Sequence, residues 1–364
     1  MLQLLTCNEM RDGSAMVKLS IIIKTLNEES NVARAIESAI RAAAPFGGEV
    51  IIADSGSTDR TIEIALQYPI TVVQLDDPRQ KCCGIGPQLG FQHSHGEYIY
   101  MLDGDMDLNP EFLQEAMEVL DREPSIAAVG GIVNEMRLKN LEFEKRVRQF
   151  LKRGVKHGSD VDCLNGGGLY RRAAIEQVSY FSDRNLHGFE EYDLGARLRT
   201  RGWRLVRLES RAVDHYSYAL STYRLLWYRI RAGRLLALGE ILRAASRGKY
   251  LKNALVELRP IRFAIGTLVY WPLVGLAAAA GASGASLVAL LVLAASIPVA
   301  VMAVRGGSLQ SGAYAVAVWH LTAVNLLLGL VRVRKPPTEA IASRVLRTAG
   351  EAAASCNDPN RARA

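Results

Sequence analysis

The sequence predicts an α/β fold: a doubly wound, mainly parallel sheet, followed by a basic interfacial helix and C-terminal transmembrane helices. Three observations carry that expectation. Short β-branched runs alternate with helical patterns as far as about residue 210. No residue from Phe263 to Val304 is charged, and Gly306 to Val331 holds no Asp, Glu, Lys or Arg. Between Arg197 and Arg262, 16 Lys and Arg face only 4 Asp and Glu, whereas the whole chain has 44 against 37.

Composition narrows the class. At 364 residues the chain has room for about two domains, and at 49% hydrophobic and 22% charged it is neither disordered nor collagen-like. Leu19 to Lys24 reads as the first strand, and Val32, Ile36, Ala39 and Ile40 then recur on one helical face. Val50 to Ala53 is a second strand, with the polar turn Asp54-Ser55-Gly56-Ser57 and a helix from about Thr58-Asp59 behind it. Ile70 to Leu75 and Tyr98 to Leu102 are two more strands. Asn109-Pro110-Glu111 is a helix start, with Asn as cap, Pro at the first helical position and an acid in the first turn. A charged amphipathic helix is expected over about 140 to 153, a glycine-rich strand entry at Gly166-Gly167-Gly168, and a helix from about Glu190 to Arg201. Ligands of open α/β sheets lie beyond the carboxyl ends of the strands, which directs attention to Thr25–Glu28, Asp54–Ser57 and Asp103–Asp107.

The uncharged stretches of 42 and 26 residues hold two or three spans at about 20 residues each, with a break at Gly281-Ala282-Ser283-Gly284. The basic stretch runs straight into the first span, so it suits an anionic membrane surface and not nucleic acid. Leu226, Ile230, Ala237 and Ile241 fall near one helical face, as in a helix lying in the interface. Three spans would put Arg332, Arg334 and Lys335 on the far side, against the positive-inside tendency, whereas two spans or a re-entrant segment around Pro272 or Pro298 would not. His320 within the last run faces a helix neighbour or water. The expected divisions are a leader over 1–17, an α/β domain over 18–218, a basic amphipathic region over 219–262, a membrane region over 263–331 and a cytoplasmic or exposed tail over 332–364, with one short helix after Pro336-Pro337. Residues 1–18 lack an apolar stretch of signal-peptide length, so the first domain is expected to stay in the cytosol. Five cysteines, Cys7, Cys82, Cys83, Cys163 and Cys356, imply neither a disulfide framework nor a zinc site.

Two acidic constellations carry the chemistry. In Met101-Leu102-Asp103-Gly104-Asp105-Met106-Asp107 an apolar strand delivers alternate carboxylates into a loop. Such acids repel one another unless a cation neutralises them, and a hard divalent ion such as Mg²⁺ or Mn²⁺ takes carboxylate and phosphate oxygens. The run His187-Gly188-Phe189-Glu190-Glu191-Tyr192-Asp193 opens a helix with more acids than its dipole requires, which frees one to act as a general base. His215, after Asp214, is a candidate further metal ligand.

The motifs Thr25-x-Asn27-Glu28, Asp54-Ser55-Gly56-Ser57-x-Asp59, Asp103-Gly104-Asp105, Gly166-Gly167-Gly168, Glu190-Glu191-x-Asp193 and His215 follow one another as in the family 2 glycosyltransferases, which this chain resembles over about residues 18–218. The resemblance implies a GT-A fold and inverting transfer of one sugar from a nucleotide-diphosphate donor, with a divalent metal. It implies that Thr25, Asn27, Glu28, Asp54 and Ser57 line the nucleotide pocket and that Asp103 approaches the ribose or metal. Asp105 would hold the metal with His215, and Gly167 and Gly168 would let backbone approach a sugar. Glu191 matches the base, Glu190 remains a second candidate for it, and Asp193 stands beside them. Two departures stand out. The family's usual Glu-Asp is Glu190-Glu191 here, and Gly86-Pro87-Gln88 replaces a frequent Ala-Arg-Asn, leaving a diphosphate contact to Arg79 or Lys81. The absence of Gln-x-x-Arg-Trp favours single-sugar addition over polymer extrusion. The acceptor implied is lipid-linked, a polyprenyl-diphosphate saccharide in cell-surface polysaccharide biosynthesis, with a multi-pass anchor in the cell inner membrane and the catalytic domain cytoplasmic. A polyprenyl-phosphate glycosyltransferase is the nearest alternative, and a silent nucleotide-sugar-binding scaffold the alternative of another class.

Overall fold

The computed structural model describes residues 17–136, 158–216, 222–281 and 283–351. The helix expected over about 140 to 153, the leader and the polar end therefore lie outside the described residues. Strands β1 (Leu19–Thr25), β2 (Glu49–Asp54), β3 (Thr71–Leu75) and β4 (Tyr98–Asp103) alternate with helices α1 (Val32–Ala43), α2 (Thr61–Ala65) and α3 (Ile85–Gln92). All four strands pair in parallel, in the order β3-β2-β1-β4. Strand order reverses beside β1, which makes the carboxyl ends of β1 and β4 the place for a crevice. The Asn109 side chain caps α4 (Pro110–Arg122), as the Asn-Pro-Glu signal predicts.

Beyond β4 the sheet is mixed. β8 (Gly168–Arg171) lies antiparallel between β4 and β6 (Ile126–Glu135), and β9 (Arg204–His215) runs parallel to β6. Short β5 (Met106–Leu108) and β7 (Ser159–Asp160) pair antiparallel with β9. One hydrophobic core lies under α1 and α4, with Ile21, Ile36, Phe112 and Leu113 fully enclosed. The other core, on the opposite face of the sheet, holds Ile22, Leu89, Ile175 of α5 (Arg172–Gln177) and Leu198 of α6 (Glu190–Thr200).

The basic region is broken, not continuous. Helix α7 (Thr222–Arg231) ends at Gly233, which has φ +69°, before α8 (Ala237–Arg247) and α9 (Leu251–Glu257). The single face expected for Leu226, Ile230, Ala237 and Ile241 is therefore split. Ile230, Trp227 and Tyr228 are exposed on α7, while Ala237 and Ile241 are buried on α8. Ile241 joins a third core with Leu186, Tyr192 and Ala196 of the sheet domain and Leu326 of the last long helix.

Among the described residues three helices are long and apolar enough to cross a membrane: α10 (Arg259–Ala279), α11 (Ala285–Gly306) and α12 (Leu309–Val331). Their break falls at Gly281–Gly284, as the composition predicts. Leu276, Val288 and Leu328 are exposed on them, the surface that an apolar solvent would cover. His320 is fully engaged: its Nε2 accepts from Trp271 Nε1 at 2.7 Å and its Nδ1–H donates to Val316 O at 2.7 Å. Close approach fixes α12 on α8. A Cβ at Gly239 would meet Leu326 O at 2.1 Å, and one at Gly329 would meet Leu236 O at 2.2 Å.

After Pro336-Pro337 the chain first forms β10 (Ser343–Arg347), which adds an antiparallel strand to the free edge of β3. A helical turn opens at 349–351, and the rest of the short helix expected there lies outside the described residues.

Candidate active site

Strand register assembles the site. β1 and β4 place Lys24 beside Asp103 at their carboxyl ends, and Lys24 Nζ lies 2.9 Å from Asp103 Oδ1 and 3.6 Å from Glu190 Oε1. One lysine therefore ties the acid leaving the fourth strand to the acid opening α6. A cavity beside Lys24 and Glu190 is lined by these two with Met101, Gly167, Tyr170 and Glu191. Gly167 has φ +92°, and a Cβ there would lie 2.5 Å from Met101 O, so the cavity wall admits no side chain at this position. Gly168, in β8, pairs with Met101.

The charges differ in state. Burial would lower the pKa of Lys24, but Asp103, Glu190 and Glu191 reverse this and hold it well above the usual lysine value. Burial pushes the Glu191 carboxyl up to about 8, with Glu190 and Asp103 adding repulsion and Lys24 opposing it. Two neighbouring carboxyls thus part: Glu190 has the ammonium beside it, and Glu191 holds a proton near neutrality. The helix begins from Phe189 at φ +64°, which turns the chain sharply into the acids. Asp193 goes elsewhere. It is fully buried, accepts from Arg197 Nε at 2.8 Å and from the Tyr250 hydroxyl, and is not part of the cavity lining.

The second acid of the motif has its own partners. The β5–β9 register sets Met106 opposite His215 and the β6–β9 register sets Glu135 opposite the same residue. His215 Nε2 is 3.1 Å from Asp105 Oδ2 and its Nδ1 is 2.7 Å from Glu135 Oε2. Burial would lower the His215 pKa, yet these two carboxylates raise it to about 10. Among the described residues no three His, Cys, Asp or Glu side chains form a metal cage. A two-ligand site is nevertheless chemically suited to Asp105 and His215. Adjacent ligands of an octahedral ion with bonds of about 2.1 Å stand about 3 Å apart, and such ions keep their other positions for water and phosphate.

At the β1 and β2 exits the expected nucleotide-pocket residues form one hydrogen-bonded corner. Asp54 is fully buried and accepts from Gly56 N and Ser57 N at 2.9 Å, from Thr25 Oγ1 at 3.1 Å, and from the Ser57 hydroxyl. Its carboxylate shapes the loop. Asn27, at φ +58°, accepts from Thr58 N at 2.8 Å, and Glu28 N donates to Thr61 Oγ1 at 2.7 Å. Arg79 pairs with Asp77 at 2.8 Å, its side chain 90% exposed. Lys24 is instead the cation bound to the cavity acids. Sequence reasoning missed Lys24 and Glu135: the first looked like strand, and the second lies outside every motif.

Residues 20–179 match the family model described as Glycosyl transferase family 2. Helices and a mixed, mainly parallel sheet in the same arrangement occur in a mannosyltransferase from Pyrobaculum calidifontis, solved in complex with GDP-Man and Mn²⁺. That structure aligns with a TM-score of 0.52 at 19% identity, over 86% of this chain and 88% of the other. The chain therefore carries a family 2 glycosyltransferase domain on a GT-A fold. Among curated relatives, the low-salt glycan biosynthesis hexosyltransferase Agl6 of Haloferax volcanii is 34% identical over 123 residues, 33% of this chain and 29% of that protein. A dolichol-phosphate mannosyltransferase of Pyrococcus furiosus is 26% identical over 137 residues, 36% of this chain and 38% of the other. The matched region thus spans about a third of these relatives' lengths.

Proposed function

We propose that this protein is an inverting, metal-dependent glycosyltransferase that moves a single sugar from a nucleotide-diphosphate donor to a lipid-linked acceptor at a membrane. The observation that carries the reading is the Lys24 bridge, which pairs with both Asp103 and Glu190 beside a cavity that Lys24, Glu190 and Glu191 line. Helix α6 supports the membrane part. Its Leu194 and Leu198 pack on the sheet while its Tyr192 and Ala196 pack with Leu238 and Leu326 of the apolar unit. The acids therefore stand on the helix that joins the two.

In this mechanism Glu191 accepts the proton of an acceptor hydroxyl as the hydroxyl oxygen attacks the anomeric carbon. The bond from that carbon to the diphosphate breaks on the opposite face, and its electron pair leaves with the nucleotide diphosphate, which inverts the anomeric centre. A carboxyl with a pKa near 8 is strong enough to take the proton and is still partly ionised at neutral pH. Lys24 holds Glu190 and Asp103 in place, and Thr25, Asn27, Glu28, Asp54 and Ser57 shape the nucleotide corner. Asp105 and His215 would hold Mg²⁺ or Mn²⁺, which when bound supplies positive charge against the diphosphate.

Two lipid acceptors fit the position, a polyprenyl-diphosphate saccharide and a polyprenyl phosphate; the name of the Pyrococcus relative favours the second class. The cell inner membrane, with the sheet domain on the cytoplasmic side, is the proposed location. The test is turnover of a panel of nucleotide-sugars by the full chain in membranes with Mn²⁺ or Mg²⁺, following nucleotide diphosphate release and the lipid product. A mild-acid-labile phosphodiester identifies the lipid phosphate as acceptor, and a glycosidic product identifies the saccharide. Glu191→Gln should lower transfer by about 10² to 10⁴-fold while sparing donor binding. If Glu190→Gln alone does so, the base is its neighbour; wild-type chain inert toward every donor would refute the reading.

A further inference from the structure

The chain leaving α12 returns to the loop that precedes the candidate base. Arg332 Nη1 donates to Glu240 Oε1 at 2.8 Å. Glu240, 2% exposed, accepts from His187 N at 2.9 Å and faces His187 Nδ1 at 3.0 Å. His187 precedes the Gly188-Phe189 turn into Glu190 and Glu191. The next residues continue the pattern. Arg334 pairs with Asp183, Lys335 N donates to Asn185 Oδ1 at 2.9 Å, and Arg184 Nη1 donates to Glu339 O at 2.9 Å. The loop is thus held from outside by a segment that lies beyond the matched family domain and beyond the apolar helices.

We propose that Arg332 is a positioning residue for the reaction: acting through Glu240 and His187, it sets the first turn of α6 so that the Glu191 carboxylate meets the acceptor hydroxyl. The inference rests on the proposed transfer reaction for its kinetic consequence, but its structural content stands separately. The Arg332 side chain is 41% exposed, so its removal leaves no cavity in the core. What it does is orient a buried carboxylate that would otherwise be shared only with His187.

The experiment compares the full chain in nanodiscs with Arg332→Ala, Arg332→Lys and Glu240→Gln. Hydrogen exchange is read over residues 183–193 and over β1 and β4, and kcat and donor KM are read with the best nucleotide-sugar. Arg332→Ala and Glu240→Gln are expected to lower kcat by about 10 to 100-fold, the cost of a misplaced group, with donor KM within about twofold. Exchange should quicken about tenfold in 183–193 and stay constant in β1 and β4. Arg332→Lys, which keeps the charge, should recover part of kcat. Unchanged kcat and exchange in Arg332→Ala would overturn the proposal, as would faster exchange throughout the sheet with kcat and KM impaired together. If wild-type chain turns over no donor, the transfer reading fails, and the exchange arms alone still decide whether Arg332 holds the loop.

Discussion

At the scale of single residues, the site works by separating the fates of like charges. Glu190 and Glu191 are adjacent in sequence, yet Lys24 stands 3.6 Å from the first while burial and repulsion push the second up to about 8. The sign of the resulting pH dependence follows directly. A base must be deprotonated to act, so kcat/KM should rise with pH through about 8 and level off above it. Replacing Lys24 by Met removes the charge that opposes the rise, so the midpoint should move upward and neutral activity fall; a profile that shifts downward would show that Glu191 is not the titrating group. Asp193 belongs to another class despite lying in the same motif. Asp193→Ala should destabilise the fold by about 3–5 kcal/mol, because it leaves the buried Arg197 guanidinium uncompensated. Thermal unfolding in detergent measures this, and an unchanged midpoint would remove the structural assignment.

At the scale of elements, what was legible depended on whether packing or pairing made the element. The four parallel strands were readable as continuous apolar runs buried on both faces, α1 because its apolar residues repeat with the period of the face it buries, and α4 because Asn109 and Pro110 mark a helix start. Strand β10 was not. Its Val345 is 48% exposed, so backbone pairing to β3 holds it, and no hydrophobic period announces that. The basic region misled for a related reason: a helical face is additive only while the helix continues, and Gly233 breaks it. Motif acids were legible, but their partners Lys24 and Glu135 arise from register between strands far apart in sequence. The contact between α8 and α12 is likewise a matter of backbone proximity. Gly239→Leu should cost about 1–3 kcal/mol or more by forcing the helices apart, read as a lower melting midpoint.

At the scale of the whole molecule, the sheet domain and the apolar helices form one object with three cores. The third core joins Tyr192 and Ala196 of α6 to Ile261 and Ala264 of α10 and to Ala323 and Leu326 of α12. Deleting residues 332–364 should therefore do more than trim a tail. It removes β10 and the Asp183–Asn185 contacts, so the truncated chain should exchange faster at the β3 edge and lose turnover although every motif remains. The pairing of β10 with β3 also bears on parity. A polypeptide that leaves a domain at Arg259 and rejoins it by Ser343 ends in the compartment where it began, and only an even count of complete passages permits that. If the three apolar helices among the described residues lie in a membrane, this pairing predicts that one of them stays on the near side or turns back within the lipid. A reporter fused behind Arg347 would then share its surroundings with the nucleotide corner, and Arg332, Arg334 and Lys335 would keep company with the basic helices before the first passage.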